Sequence, residues 1–230
     1  MSDPVAPESL AGLPQTPPTC VIFLPGFGQM PTDWQDQVTQ IPTGWRGFVP
    51  WLAGLKPTDR SGFELNRAVG GIVTMMETQD IKRAHICGLS IGSVVALRLA
   101  SSYPELVDRL VLASGQVTPR RSLMKLQLAV MRRTPEAKFL AQGLTKEKAI
   151  EAFESVAALD LRADLPKVKA PTLVLTGAQD QPNRAAAKAL AGGIRGARLE
   201  VINGGHALNT GAPEEFNRAV FGFLADPSPV

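Results

Sequence analysis

The sequence predicts an α/β fold in which a mostly parallel sheet of about six to eight strands is flanked by helices. Short apolar runs rich in β-branched and aliphatic residues alternate along the 230-residue chain with segments of helical spacing. This alternation is typical of βαβ units, which place helices on both faces of a parallel sheet. The runs are also apolar at successive positions, as expected of strands that are buried on both faces.

Six apolar runs, each followed by a turn of Gly, Pro or polar residues, are predicted to be strands: 20–24, 47–52, 84–87, 110–113, 172–175 and 198–202. The second run is the weakest because Pro50 cannot donate a ladder hydrogen bond. Helical spacing predicts helices at 33–40, 63–77, 91–101 and 213–224. In a parallel sheet, ligands bind beyond the carboxyl ends of the strands, so we expect the chemistry in the loops that follow them.

The length of the chain fits one domain. Residues 1–18 are rich in Pro and polar residues and are predicted to form a flexible tail, which leaves 19–230 as a single domain. Residues 116–165 contain no convincing strand and are predicted to form helices at about 120–133, 137–142 and 145–159. We expect this segment, called the cap segment below, to cover the ligand side of the sheet.

Composition limits the function classes. Hydrophobic residues make up 44% and charged residues 20%, and the chain has neither an apolar run of membrane-spanning length nor a secretory leader, so we expect a soluble, cytoplasmic protein. A net charge of +3 without a nucleic-acid motif argues against a nucleic-acid partner. The two cysteines, Cys20 and Cys87, form no metal-ligand pattern and are predicted to be buried free thiols. We therefore expect a small-molecule substrate, no metal or cofactor and no stable membrane association, whereas the oligomeric state stays undetermined.

A GxSxG motif covers residues 88–92, between the third predicted strand and the helix that follows it. A nucleophile elbow requires this position, because the tight turn lifts the serine hydroxyl above the sheet and aims the helix N-terminus at it. Ser90 is therefore the candidate nucleophile. The alternative is a glycine-rich turn from strand to helix that carries no chemistry.

A serine hydroxyl needs a base, and the chain has two histidines. His85 lies five positions before Ser90 in the same strand, roughly 16 Å away at about 3.3 Å per residue, and is predicted to be a core or strand-face histidine. His206 follows the last strand and is the candidate base. The alternative for His206 is an ordinary surface-loop histidine.

Asp180 follows the fifth predicted strand and is the candidate acid that orients the base. The chain order Ser90, Asp180, His206 is the one expected for this kind of elbow. A helix-capping aspartate is the alternative interpretation of Asp180. Asp160 and Asp164 precede the same strand and are predicted to lie near its other end.

An acyl-transfer site also needs donors for an oxyanion. The backbone N–H of Ile91, directly after the candidate nucleophile, is one. The glycine-containing loop after the first strand predicts the backbone N–H of Phe27 as the second, because glycines allow a close approach of the backbone to a substrate.

Four stretches of this chain resemble the α/β-hydrolase superfamily over about residues 19–226: FLPGFG with the following Asp33-Trp34, CGLSIG, APTLVLTGAQD and GGHALN. The resemblance implies Ser90, Asp180 and His206 as the catalytic triad, with Phe27 and Ile91 as oxyanion donors. The CGLSIG elbow is similar to that of enol-lactonases of the 3-oxoadipate type. Three features depart from the family pattern. Leu24-Pro25-Gly26 stands where His-Gly is common, Ser93 stands where a third glycine is common, and the usual first two strands are not evident before residue 19.

The first part of the cap segment combines basic and apolar residues. Arg120, Arg121, Lys125, Arg132, Arg133 and Lys138 occur there with Glu136 as the one acidic residue of 116–140. We favour a solvated helix whose apolar stripe covers the pocket, with Met124 and Met131 as candidate pocket residues. Recruitment of an anionic substrate or contact with a membrane surface is the alternative.

These residues favour hydrolysis of an ester, thioester or lactone of a small organic substrate through an acyl-enzyme. Two other functions stay open at this point. The same triad serves carbon–carbon bond hydrolysis or a lyase step when it is used mainly for proton transfer, and the same fold serves as a receptor with little turnover.

Overall fold

The computed structural model describes residues 18–118, 121–140 and 144–226. Six strands of this part of the chain form one sheet in the order β2-β1-β3-β4-β5-β6, and every neighbouring pair is parallel. They are β1 (Cys20–Leu24), β2 (Arg46–Phe48), β3 (Ala84–Leu89), β4 (Val107–Ala113), β5 (Thr172–Gly177) and β6 (Arg198–Ile202). The predicted fold class is confirmed, with six strands in the described residues. The predicted N-terminal tail lies outside them except for Pro18.

Helices connect and flank the strands. They are α1 (Gln35–Thr39), α2 (Leu65–Thr78), α3 (Ile91–Ser102), α4 (Arg121–Arg133), α5 (Glu136–Leu140), α6 (Lys146–Ala157), α7 (Gln181–Gly193), α8 (Leu208–Gly211) and α9 (Pro213–Leu224). No helix in the described ranges is both long and apolar enough to cross a membrane.

Alternate residues of each central strand belong to two different cores. In β1, Ile22 and Leu24 pack with residues of α2, α3 and α7, whereas Val21 and Phe23 pack with Trp34 and residues of α9. This division explains why both sets of alternate positions in the central strands are mainly apolar, since both faces of the sheet are covered.

Four strands have bounds that differ from the sequence-based prediction. Strand β4 begins earlier, at Val107, and β5 ends later, at Gly177. Strand β2 is only Arg46–Phe48 and ends two residues before Pro50, which cannot continue the hydrogen-bond ladder. Strand β3 runs through Gly88 to Leu89, because Gly88 pairs with both Leu24 and Leu112 in the register of its neighbours. The strand therefore leads directly into Ser90.

The three helices α4, α5 and α6 lie between β4 and β5 in the chain, where the cap segment was expected. Helix α4 buries Met124, but its side chains Leu126 and Val130 are 63% and 59% exposed. Only part of the apolar stripe of α4 is thus buried. Arg120 and the side chain of Arg121 lie outside the described part of the structure.

Candidate active site

Ser90 occupies a sharp turn between β3 and α3. Its backbone has φ 55° and ψ −115°, a conformation that a residue with a side chain adopts only under strain. A Cβ at Gly88 would collide with the carbonyl oxygen of Gly92, and a Cβ at Gly92 would collide with the carbonyl oxygen of Leu24. The two glycines are therefore required by the close approach of β1, β3 and α3, and the turn has the geometry of a nucleophile elbow.

The structure brings the three predicted residues together. The Oγ of Ser90 lies 3.0 Å from Nε2 of His206, and Nδ1 of His206 lies 2.9 Å from Oδ2 of Asp180. In the tautomer that satisfies both contacts, Nδ1–H donates to the carboxylate and the serine hydroxyl donates to Nε2. The Asp180 side chain is 6% exposed and that of His206 is 48% exposed, so the acid is buried and the base faces the cavity opening.

Backbone hydrogen bonds connect the loops that carry these side chains. After β5, the N–H groups of Ala178 and Gln179 donate to the carbonyls of Ile202 and Gly204 at 2.8 and 3.0 Å. After β4, the hydroxyl of Ser114 donates to the carbonyl of His206 at 2.9 Å. The positions of Asp180 and His206 are thus set by neighbouring strand ends and not by the side chains alone.

Asp180 occupies the N-cap position of α7, but its side chain accepts no hydrogen bond from the backbone of the first turn. Its carboxylate instead accepts from the side-chain amide of Asn183 at 2.9 Å to each oxygen, and from His206. Asp180 therefore stands at the N-cap position of α7 and contacts His206, but its carboxylate does not cap the helix.

The loop after β1 lines the same cavity as Ser90. Phe27 and Ile91 both line the cavity, and none of the backbone hydrogen bonds found for the described loops and turns uses either N–H as a donor. Gln29 holds this loop: its Oε1 accepts from the N–H of Gly26 at 2.8 Å and its Nε2 donates to Oδ1 of Asn209 at 2.8 Å. The loop after β1 is therefore tied to the helix that follows His206.

A cavity of about 400 Å³ opens over Ser90 and His206, within the size range of small-molecule sites. Residues of the loop after β1, the elbow, α4, α6 and the start of α7 line it. Most of the lining side chains are apolar, and the polar ones other than Ser90, His206 and Asp180 are uncharged: Gln29, Ser114, Gln116, Gln127 and Asn183.

The two methionines of the predicted pocket have different positions. Met124 is buried and lines the cavity. Met131 is partly exposed and is not among the described residues that line it, since α4 contributes lining residues only as far as Gln127. Of the two candidate pocket residues, the structure thus places Met124 at the cavity and Met131 away from it.

The other titratable candidates lie away from the cavity. His85 is buried in β3, its ring centroid lies 4.9 Å from that of Trp45, and its Nδ1 is 3.3 Å from Oδ2 of Asp108 without hydrogen-bond geometry. Burial lowers the pKa of His85, with the Asp108 charge acting in the opposite direction. Asp164 is buried and paired with Arg98, and Asp160 is paired with Arg162 on the surface.

Both cysteines are free and buried, as expected from the sequence, and burial raises the pKa of both thiols. Burial and a raised pKa both favour the protonated thiol, which is the less reactive form. Among the described residues, no cluster of three or more His, Cys, Asp or Glu side chains is arranged to hold a metal ion.

Sequence reasoning missed the amide side chains that support the site. Gln29 and Asn209 lie 180 positions apart, and Gln116 donates to Asn183 across 67 positions. One signal was present in the sequence: Asn183 is a polar residue three positions after Asp180. At this spacing in the first turn of a helix, two side chains lie close together.

Comparison with known proteins identifies the family to which this fold belongs. The chain belongs to the alpha/beta hydrolase family, whose model matches residues 21–219. It is 27% identical over 93% of its length to the "Putative carbamate hydrolase RutD" of Caulobacter sp. (strain K31), and the match covers 93% of that protein. It is 24% identical over 87% of its length to 3-oxoadipate enol-lactonase 2 of Acinetobacter baylyi, of which 86% is covered.

Solved structures show the same fold. A hydrolase from Pseudomonas aeruginosa PA01 superimposes with a TM-score of 0.80 at 22% sequence identity, and the match covers 91% of each chain. The predicted membership of the α/β-hydrolase superfamily is confirmed by the family model. At this level of identity the structural similarity concerns the fold alone.

Proposed function

We propose that this protein hydrolyses an ester, thioester or lactone of a small organic substrate through an acyl-enzyme formed on Ser90. The observation that carries the proposal is the continuous chain of contacts from Ser90 Oγ to His206 Nε2 at 3.0 Å and from His206 Nδ1 to Asp180 Oδ2 at 2.9 Å. A nucleophile, its base and the acid that orients the base are the parts that acyl transfer needs.

In the first half of the reaction, Ser90 Oγ attacks the acyl carbonyl carbon while His206 Nε2 takes the hydroxyl proton. The negative charge that develops on the carbonyl oxygen is stabilised by the N–H groups of Phe27 and Ile91, and Asp180 stabilises the imidazolium. The tetrahedral intermediate then collapses, the bond to the leaving group breaks, and His206 gives its proton to that group.

In the second half, water attacks the acyl-enzyme. His206 takes one proton from the water and returns it to Ser90 Oγ when the acyl–serine bond breaks, which releases the acid. The 48% exposure of the His206 side chain gives water access to the base. The cavity of about 400 Å³ limits the substrate to a small molecule.

The relatives support cleavage of an acyl bond without determining which one. Their names include a carbamate hydrolase, an enol-lactonase and, at 25% identity, the pyrrolizixenacetamide deacetylase of Xenorhabdus hominickii. Each name describes a bond between a carbonyl carbon and oxygen or nitrogen. We propose an ester-type bond because an oxygen or sulfur leaving group depends less on protonation than a nitrogen leaving group does. His206 is the single base of the site and returns its proton to the leaving group.

The experiment is turnover of p-nitrophenyl acetate, a short acyl thioester and a small lactone by the wild type, Ser90→Ala, His206→Ala and the control Ser102→Ala. Ser102 is an exposed serine at the end of α3, the helix that follows Ser90. We expect turnover of at least one substrate by the wild type and the control, loss of at least about 1,000-fold in the other two variants, and one solvent oxygen in the acid product in H₂¹⁸O. Turnover that is unchanged in Ser90→Ala, or a product without solvent oxygen, would contradict acyl-enzyme hydrolysis and favour a lyase step.

A further inference from the structure

The side chain of Asn183 lies at the buried end of the Ser90–His206–Asp180 contacts. Its Nδ2 is 2.9 Å from each carboxylate oxygen of Asp180 and 3.1 Å from Nδ1 of His206. Asn183 is 6% exposed and Asp180 is also 6% exposed, so water has little access to the carboxylate. The carboxylate thus receives donors from two side chains, the imidazole and this amide.

Gln116 determines which way the amide of Asn183 is turned. Its Nε2 donates to Oδ1 of Asn183 at 2.6 Å, so the amide oxygen of Asn183 is occupied and its nitrogen faces Asp180. In the reverse orientation an amide oxygen would lie beside two carboxylate oxygens, which is repulsive. Gln116 also lines the cavity, and the contacts therefore run without a break from the cavity wall through Asn183 to Asp180.

We propose that Asn183 is a positioning residue that holds the carboxylate of Asp180 against His206, and that Gln116 sets its orientation. A buried carboxylate that lacks donors either takes up a proton or turns toward another partner, and in both cases it no longer orients the imidazole. The amide supplies a charge-assisted hydrogen bond without adding a charge, so the imidazolium remains paired with one carboxylate. This inference rests on the proposed function, because it assigns Asn183 a role in that reaction.

The first test removes the amide in Asn183→Leu, with Gln181→Leu as the matched control. Gln181 lies in the same helical turn, and its exposed side chain donates to the carbonyl of Ala178. We expect kcat for p-nitrophenyl acetate to fall about 10- to 100-fold in Asn183→Leu with KM within about two-fold of the wild type, as for the loss of a hydrogen bond to a charged group. Gln181→Leu should keep both constants. A kcat within two-fold of the wild type in a folded Asn183→Leu would overturn the proposal.

A second variant controls for misfolding. Asn183→Asp keeps the size of the side chain but places an acceptor oxygen beside Asp180, so we expect at least the same loss of kcat with an unchanged circular dichroism spectrum. Full activity in this variant would contradict the proposal, since the amide donor to Asp180 has been replaced by an acceptor that carries a negative charge.

Coupling to Asp180 separates positioning from a general structural effect. In an Asp180→Asn background, fluorophosphonate labelling of Ser90 should be slowed less than three-fold further by Asn183→Leu, because the carboxylate on which the amide acts is gone. An equal loss in both backgrounds would show that Asn183 acts elsewhere.

A readout that needs no turnover distinguishes this inference from the proposed function. The chain has two histidines, so the Nδ1–H proton resonance of His206 is identified by its absence in His206→Ala. We expect this resonance in the wild type and in Gln181→Leu, and its loss or broadening in Asn183→Leu. If the wild type hydrolyses nothing, the proposed function fails while this comparison still decides whether Asn183 holds the pair. An unchanged resonance in Asn183→Leu would overturn the inference.

Discussion

Glycine at position 90 is expected to make the protein more stable than alanine there. Both substitutions remove the hydroxyl and its contact with His206, and they differ in the Cβ atom and in the backbone conformations that it allows. Ser90 has φ 55° and ψ −115°, a region that glycine adopts freely and alanine does not. The comparison of the two variants therefore isolates the strain in the elbow.

The magnitude follows from two opposing contributions. Relief of the backbone strain contributes about 1–3 kcal/mol, and the greater freedom of glycine in the unfolded chain offsets about 0.5–1 kcal/mol of it. The free energy of unfolding of Ser90→Gly should thus exceed that of Ser90→Ala by about 1 kcal/mol. For a chain of this length the difference in melting temperature is about 2–4 °C.

The assay is urea denaturation of the two variants side by side, with thermal melting as a second measure. Equal slopes against urea would show that the two variants expose the same surface on unfolding, so that a difference in midpoint is a difference in stability. A Ser90→Gly variant that is no more stable than Ser90→Ala would refute the reasoning that the turn is strained.

Three further predictions test other parts of the structure. Gly92→Ala should destabilise the fold by at least about 2 kcal/mol in urea denaturation, because its Cβ would meet the carbonyl of Leu24. The control Gly70→Ala, in an open part of α2, should stabilise the fold by about 0.5–1 kcal/mol. Similar values for the two variants would contradict the packing of the elbow. Burial lowers the pKa of His85, so the unfolded state binds more protons and the free energy of unfolding should fall as pH drops below about 6.5, by at most about 1.4 kcal/mol per pH unit. His85→Gln should reduce that slope, and an identical slope would show that His85 does not contribute. In steady-state kinetics, Met124→Ala should raise KM for short acyl esters about ten-fold and Met131→Ala should leave KM unchanged, because Met124 lines the cavity and Met131 does not. Equal effects of the two substitutions on KM would place the pocket elsewhere along α4.

The positions of Ser90, Asp180 and His206 could be predicted because parallel strands end at the same edge of a sheet. Each residue follows a strand end, and the order of motifs along the chain was sufficient to place all three at that edge. The paired strand ends, linked by backbone hydrogen bonds such as that from Gln179 to Gly204, then bring the side chains within contact distance.

The supporting amides could not be predicted in the same way. The contacts of Gln29 with Asn209 and of Gln116 with Asn183 depend on side-chain orientations and on loops that meet only in the folded chain. Local patterns carry no information on such pairs, since each residue alone is compatible with a solvated loop or helix.

The pocket wall was only half predictable for a related reason. Met124 and Met131 are seven residues apart and therefore lie on the same side of α4, which the helical period shows correctly. The period does not show where along the helix the cavity ends. That boundary depends on how α4 packs against α6, where Arg132 pairs with Glu154 at 2.9 Å.

The proposed acyl-enzyme depends on the activation of Ser90 as a nucleophile by His206. The most direct measurement is labelling of the purified protein with a fluorophosphonate probe, followed by mass spectrometry of the labelled peptide, beside Ser90→Ala, His206→Ala and the control Ser102→Ala. We expect one label per chain on Ser90, the same labelling in Ser102→Ala, none in Ser90→Ala and a rate at least about 1,000-fold lower in His206→Ala. A folded wild type that takes up no label, or labels at another residue, would contradict this activation.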